Sequence, residues 1–323
     1  MKKALCASLL TAFVSLTASS AFAAEETKWP TRPVQVIVPA SAGGDTDFNA
    51  RTMAKYFTQI TGKSMVITNM GGGGGSVATS QVKNAEPNGN TILFAHVGQL
   101  IVNEVSGLVD YSYDALDISS IAAVDKGAVF VSGKPSGVDS LDALIEKAKA
   151  KPNSVIYGTE LGGFSHLQGL IFQKLAGVQL KMVDTGSAAE KVTSLLGGRI
   201  DMSAVSYGAV QDYVKTGDMH ILAQPNEEPN PLLGDVKTFK SQGIDFVMDK
   251  PYIIAFPKGT DPAIVKKMAD VMKQITELPA YAKDLEQGFK QPVSYYNTEQ
   301  AVARLKETRE TFMQYKDMLQ QNK

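Results

Sequence analysis

Val36-Ile37-Val38-Pro39-Ala40-Ser41-Ala42-Gly43-Gly44-Asp45-Thr46-Asp47 is an apolar run, a turn poor in side chains, and the start of a helix-spaced segment. The same order follows at once: Met65-Val66-Ile67-Thr68-Asn69-Met70, the five glycines Gly71 to Gly75, then Ser76. Strand, tight turn and helix start, repeated, are the elements of a parallel α/β sheet. They also leave backbone N–H groups bare at helix N-termini, where an anion binds without a metal or an arginine. Two such turns in the first quarter of the chain point to capture of a small acid.

The alternation continues outward. Val34–Val38 reads as a strand, and Thr46–Ile60 carries Phe48, Met53, Tyr56, Phe57 and Ile60 at helical spacing, with Gly62 placed to cap it. Met65–Thr68 is a strand, Val77–Ala85 a short helix stopped by Pro87-Asn88-Gly89, and Thr91–Ala95 a strand. This βαβαβ order predicts a largely parallel sheet with helices on both faces. A second unit begins near residue 126. Its strands are read at Ala128–Val131, Ser154–Tyr157, Leu180–Val183, Ile200–Val205 and His220–Ala223, and its helices at Ser140–Lys149, His166–Ala176, Ala188–Leu196 and Gly208–Lys215. Pro225, Pro229 and Pro231 make 225–243 irregular. Tyr252–Phe256 returns as a strand, Asp261-Pro262 opens a helix through Ile275, and Thr298–Leu319 reads as one long amphipathic helix. The expected fold class is α/β in two lobes, residues 24–125 with 252–323 and residues 126–251. Each lobe is a largely parallel sheet flanked by helices, and a ligand cleft lies between them.

Met1-Lys2-Lys3, the apolar stretch Ala4 to Val14 and Ala21-Phe22-Ala23 have the order of a cleaved signal peptide, residues 1–23. Cys6, the single cysteine of the 323 residues, lies at the start of the apolar stretch and not at the cleavage point, which argues against a lipid anchor. No cysteine is then left for a disulfide. Losing Lys2 and Lys3 from 32 basic residues, against 33 acidic ones, leaves a net charge of about −3. That balance carries no nucleic-acid footprint, and no later apolar run reaches the length of a spanning helix. Charge alone will not draw an anion in, so local dipoles must.

Further strand–turn–helix junctions stand beside the first two. One runs Tyr157-Gly158-Thr159-Glu160-Leu161-Gly162-Gly163-Phe164-Ser165-His166, with hydroxyls at Thr159 and Ser165 and an imidazole, His166, at the helix start. Others are Val183-Asp184-Thr185-Gly186-Ser187-Ala188 and Val205-Ser206-Tyr207-Gly208. Ligands of open α/β sheets sit beyond strand C-termini, so these N-termini face one cleft, each contributing roughly 0.3–1 kcal/mol toward an anion. Phe164, Tyr207 and Tyr252 are candidate cleft walls. In the first loop, Asp45, Thr46 or Asp47 can cap the helix, with the acidic side chains turned back onto it and the amides near Ser41 to Gly44 left for the ligand. The absence of an arginine from these loops favours few charges on the ligand's distal end.

Other chemistries fit poorly. The glycine run lacks the third glycine of a dinucleotide fingerprint, having Ser76 there, and Gly62-Lys63-Ser64 has Phe57 where a P-loop needs glycine. His96, His166 and His220 have no metal-ligand spacing, and no metal or cofactor is expected. Ser165-His166 invites a hydrolase reading, but neighbours in sequence rarely form a nucleophile–base pair and the G-x-S-x-G elbow is missing.

Taken in order, these motifs resemble the solute-binding proteins of tripartite tricarboxylate transporters, the Bug family. Trp29-Pro30-Thr31-Arg32-Pro33 is similar to the family's opening, and Val38-Pro39-Ala40-Ser41-Ala42-Gly43-Gly44-Asp45-Thr46-Asp47 to its first loop. Asn69 before the glycines, Ala85-Glu86-Pro87-Asn88-Gly89, Gly162-Gly163-Phe164-Ser165-His166-Leu167 and Leu195-Leu196-Gly197-Gly198-Arg199-Ile200-Asp201 follow in the family's order. The resemblance covers nearly the whole mature chain. It implies a type II-like periplasmic binding protein whose two lobes close on a small organic acid and hand it to membrane permease subunits. A monomer is expected, with no nucleic acid among its partners. The same fold would also suit a sensor partner of a membrane receptor kinase. The resemblance carries ligand contact onto Ala40, Ser41, Ala42, Gly43, Gly44, Asp45 and Thr46, onto Gly73, Gly74, Gly75 and Ser76, and onto Thr159, Gly163, Ser165, Thr185 and Ser206. Two departures stand out. Ala40 replaces the aromatic usual after Pro39, and Asp184-Thr185-Gly186 replaces a Tyr-Lys/Arg-Gly turn.

Overall fold

The computed structural model describes residues 27–321, so the expected signal peptide lies outside the described residues. Ten strands form two five-stranded sheets. The first holds β1 (Val34–Val38), β2 (Met65–Asn69), β3 (Thr91–His96), β4 (Leu116–Asp125) and β10 (Lys250–Pro257), in the order β2-β1-β3-β10-β4. The second holds β5 (Ala128–Gly133), β6 (Ile156–Thr159), β7 (Lys181–Asp184), β8 (Met202–Ser206) and β9 (Met219–Ala223), in the order β7-β6-β8-β5-β9. The helices in chain order are α1 (Asp45–Thr61), α2 (Ser76–Lys83), α3 (Asn103–Val105, running on from a π-helical turn Gly98–Val102), α4 (Leu141–Ala150), α5 (Phe164–Ala176), α6 (Ala188–Leu196), α7 (Gln211–Thr216), α8 (Pro262–Thr276), α9 (Pro279–Phe289), α10 (Thr298–Met313) and α11 (Lys316–Gln321).

The sheets are mixed and not largely parallel. β1 pairs in parallel with β2 and β3, and β6 with β7 and β8. β10 runs antiparallel to both β3 and β4, and β5 antiparallel to β8 and β9. The cause is the crossing between the sheets. The chain leaves the first sheet at the end of β4 and re-enters it at the start of β10, with Asp125 opposite Lys250. Two strands that meet at one edge, one leaving and one arriving, must run in opposite directions. The return begins at Lys250, two residues before the expected boundary at 252.

One apolar cluster lies between the first sheet and α1, α8 and α9 (Val36, Phe57, Met268, Leu285), and another on the second sheet under α6 (Val129, Leu195). The third cluster runs through both units, from Leu93 and Ile101 to Leu167 and Phe172 of α5 and on to Phe312 and Leu319. With both faces covered, β1 is buried at four of its five residues, which is why it reads as a continuous apolar run.

Candidate functional site

A cavity of ≈ 680 Å³ opens between the two sheets at the C-terminal ends of their parallel strands. From the first sheet it is lined by the loop Pro39–Thr46 and by Gly71, Gly72 and Gly75; from the second by Ala128–Phe130, Glu160, Phe164, Ser165, Gln168, Ser206 and the start of α6.

The first loop owes its shape to Asp47. The N-cap of α1 is Gly44, with no side-chain cap bond. The Asp47 carboxylate, one of the three expected capping candidates, accepts from the Gly43 N–H (2.8 Å), Arg51 Nε (2.9 Å) and Asn69 Nδ2 (3.0 Å), and Asn69 Nδ2 also donates to the Ala40 carbonyl (3.1 Å). The side chain therefore ties both glycine loops together. Burial alone would raise its pKa, but these donors outweigh it and hold Asp47 below the usual carboxylate value. The Gly43 amide is thereby tied up within the chain. Among the described residues, the N–H groups of Ser41, Ala42, Asp45 and Thr46 donate to no protein atom and stay available at the helix N-terminus.

Asp45 does not turn back onto the helix. It reaches down to Lys250 and the Tyr252 hydroxyl, and Lys250 in turn meets Asp125 (3.1 Å), which accepts from Ser206 Oγ (2.6 Å) and the Gly127 amide (2.9 Å). Burial works against both charges of the pair. The attraction of Lys250 nevertheless holds Asp45 well below the carboxylate range, and Asp45 with Asp125 pushes Lys250 above its ordinary value. The acid that would repel a ligand carboxylate is thus neutralised where the strands cross. Beside it, burial and then the Lys250 charge push the His96 imidazole down to about 3, so it is neutral.

The second loop corrects the expected contacts. Gly75 lines the cavity, whereas Gly73, Gly74 and Ser76 do not. The Gly73 carbonyl accepts from the Ser76 amide, and the Gly74 carbonyl accepts from Asn103 Nδ2 (2.8 Å). These three residues build the tight turn behind the wall, while Gly71 and Gly72 face the cavity. Gly75 has φ +87°, and a Cβ there would meet Gln99 Cγ at 2.5 Å and Pro39 Cβ at 2.9 Å, so backbone passes where no side chain fits.

On the second sheet Ser165 and Ser206 line the cavity. Thr159, Gly163, His166, Thr185, Tyr207 and Tyr252 stand behind it. Thr159 is buried with its hydroxyl 2.8 Å from Ser165 Oγ, and Thr185 donates to the Thr159 carbonyl (3.2 Å). Gly163 is the N-cap of α5, and its amide donates to the Glu160 carbonyl. The buried His166 accepts from the Gly162 amide through Nδ1 (3.1 Å). The Tyr207 amide is bonded to the Gly127 carbonyl, and Tyr252 lies wholly buried, stacked on Phe94. Ser165 Oγ meets Thr159, the Glu160 amide (3.2 Å) and Lys191 Nζ (2.8 Å), and not His166; the nucleophile–base pair of a hydrolase is not formed between these neighbours.

The two lysines of the wall, Lys250 and Lys191, escaped the sequence reading. Lys191 is 7% exposed on the cavity wall. Burial pushes its ammonium down to about 8, against the pull of Glu160. It sits one turn into the helix that follows the Gly186-Ser187 junction, and that position is the only signal that could have found it. Its ammonium adds a positive charge to the second wall of the cavity. Among the described residues, no group of three or more His, Cys, Asp or Glu side chains could hold a metal ion, and no helix is long and apolar enough to cross a membrane.

A family model described as the tripartite tricarboxylate transporter family receptor matches residues 49–322. The UPF0065 protein in the gbd 5′ region of Cupriavidus necator is 30% identical over 284 residues, 86% of this chain and 84% of its own. The solved periplasmic binding protein BugD has a TM-score of 0.80 at 24% identity, over 90% of this chain and 98% of that one. An R. palustris protein solved with adipate has a TM-score of 0.81 at 22% identity, with the same coverage. The two structures share the fold described above.

Proposed function

We propose, since this chain belongs to the tripartite tricarboxylate transporter receptor family, that it is a periplasmic solute-binding protein and not an enzyme. Exported by the signal peptide 1–23, it captures a small organic carboxylate between lobe 1 (24–125 with 252–323) and lobe 2 (126–251). As a monomer it delivers that ligand to the permease subunits in the membrane. One observation carries the reading: the N–H groups of Ser41, Ala42, Asp45 and Thr46 are unpaired at the N-terminus of α1, on the wall of a cavity whose opposite wall belongs to the other sheet. Bare amides at a helix start favour a carboxylate, and the R. palustris protein of the same fold was solved with one, adipate. A ligand that touches both walls favours the closed arrangement, which is how binding becomes a signal to the permease.

A thermal-shift screen of mono-, di- and tricarboxylates, aromatic acids and amino acids tests it. A true ligand at a hundred times its Kd stabilises the folded state by about 2.7 kcal/mol, a rise of roughly 4 °C for a chain of this size. A panel without any such shift would sink the reading.

A further inference from the structure

The second wall of the cavity holds a cation without an anion. Lys191 is nine-tenths buried, its Nζ donates one hydrogen bond, to Ser165 Oγ at 2.8 Å, and among the described residues it has no ion-pair partner within 4 Å. An ammonium has three donors, and a buried one left unpaired is costly to the fold. The carboxylates around it favour its charge without pairing directly with it. Glu160 is its strongest neighbouring charge and stands on the same wall, its amide sharing Ser165 Oγ with Lys191 Nζ, but its carboxylate is not within ion-pair distance; Asp184 lies at the end of β7, and Asp45 with Lys250 lies on the far wall. Asp45 is engaged by Lys250 and Tyr252, and Glu190, on the same helix as Lys191, is bonded to the Ser187 amide (2.7 Å) and hydroxyl (2.8 Å). The bare amides of α1 and this ammonium therefore stand on opposite walls of one cavity, the amides with no acceptor and the ammonium with no anion.

We propose that Lys191 receives a second anionic group of the ligand, so that the cleft selects dicarboxylates, one end on the first-loop amides and the other on α6. The inference rests on the carboxylate-capture reading and sharpens it. Each lobe then holds one charge of the ligand, and only a molecule with both charges draws the walls together. Because burial lowers Lys191 to about 8 in the empty protein, diacid binding takes up a proton near that pH and weakens as pH rises through it.

The test is calorimetric titration of a succinate-to-adipate series and of the monomethyl ester of each diacid. It uses the full mature protein and its Lys191→Met and Lys191→Arg variants at pH 7 and 9. At pH 7 the wild type binds its best diacid about 30-fold or more tighter than the monoester, a ratio fitting a charge-assisted buried contact. Lys191→Met collapses that ratio to about threefold or less while raising the melting temperature of the empty protein, since a buried unpaired charge is gone. Lys191→Arg keeps the ratio and keeps it at pH 9, where the wild type loses part of its own. Equal affinity for diacid and monoester, or a ratio that Lys191→Met preserves, overturns the role of Lys191 and leaves carboxylate capture standing. Failure of every diacid and monoester to bind the wild type overturns both.

Discussion

Gly44 separates binding from folding better than its neighbours do. It is the N-cap of α1, with ordinary extended angles (φ −82°, ψ 175°), and a Cβ there would meet nothing nearer than the Ser41 carbonyl oxygen at 3.7 Å. Gly43 next to it has φ +82°, so any side chain at that position is strained, at a cost of about 1–2 kcal/mol. We expect Gly44→Val, which puts a poor capping residue at the N-cap, to cost about 1 kcal/mol and leave the protein folded. The same change sets a branched side chain among the bare amides and lowers carboxylate affinity at least tenfold. Urea denaturation and titration with the best ligand of the screen check the two halves. Unchanged affinity would remove the first loop from the site. The residue scale also shows what the sequence hides. A lysine among the scattered lysines of a nearly neutral chain carries no mark of burial, and Lys191 and Lys250 become special only when two distant segments close over them.

The N-terminal turn of α1 works as a brace. Asp47 gathers donors from its own loop, its own helix and the end of β2. Replacing it by Asn removes the charge from three hydrogen bonds and should cost about 2 kcal/mol. The pH dependence follows from the sign of its shift. The folded-state pKa lies below the ordinary 3.8, so the stabilisation is complete above the unfolded value and fades as pH falls through the folded one. Urea midpoints measured from pH 6 to pH 2.5 should therefore converge for wild type and Asp47→Asn at the acid end; a gap constant with pH would deny the brace its charge. This same element was largely legible in the sequence. Thr46–Ile60 lies inside α1, and Gly62 does cap it in the left-handed conformation (φ 69°). Ala188–Leu196 and the N-caps Ser140 and Asp261 also stand where local chemistry put them. The elements that escaped lack a local signature. β4, Leu-Asp-Ile-Ser-Ser-Ile-Ala-Ala-Val-Asp, has no alternation because it is buried at nine of its ten residues. α9 opens on Leu278 with no side-chain cap, and the glycines that line the cavity differ from those that build the turn only by where the wall runs.

At the scale of the whole molecule, the break in the expected long C-terminal helix has the largest consequence. α10 stops at Met313 and the chain turns, the Tyr315 amide bonding to the Phe312 carbonyl (2.9 Å), before α11 begins at Lys316. The turn brings the end of the chain onto both units. Gln320 Nε2 donates to the Val105 carbonyl of the first (3.2 Å), and Lys174 of α5 in the second lies over the Tyr315 ring at 5.5 Å. Leu319 is fully buried in the apolar cluster that runs through both sheets, and Phe312 of the same cluster packs near Phe164 at the mouth of α5. A continuous core forbids the two units from melting separately, although the chain crosses between their sheets twice. Leu319→Ala opens a cavity in the shared part of that core and should cost about 2–4 kcal/mol. Calorimetry should show one unfolding transition in the wild type and one transition, shifted down by several degrees, in the variant. If Leu319→Ala instead splits the trace in two, with one peak unmoved, then α11 only decorates one unit and the lobes are held by their crossing strands alone.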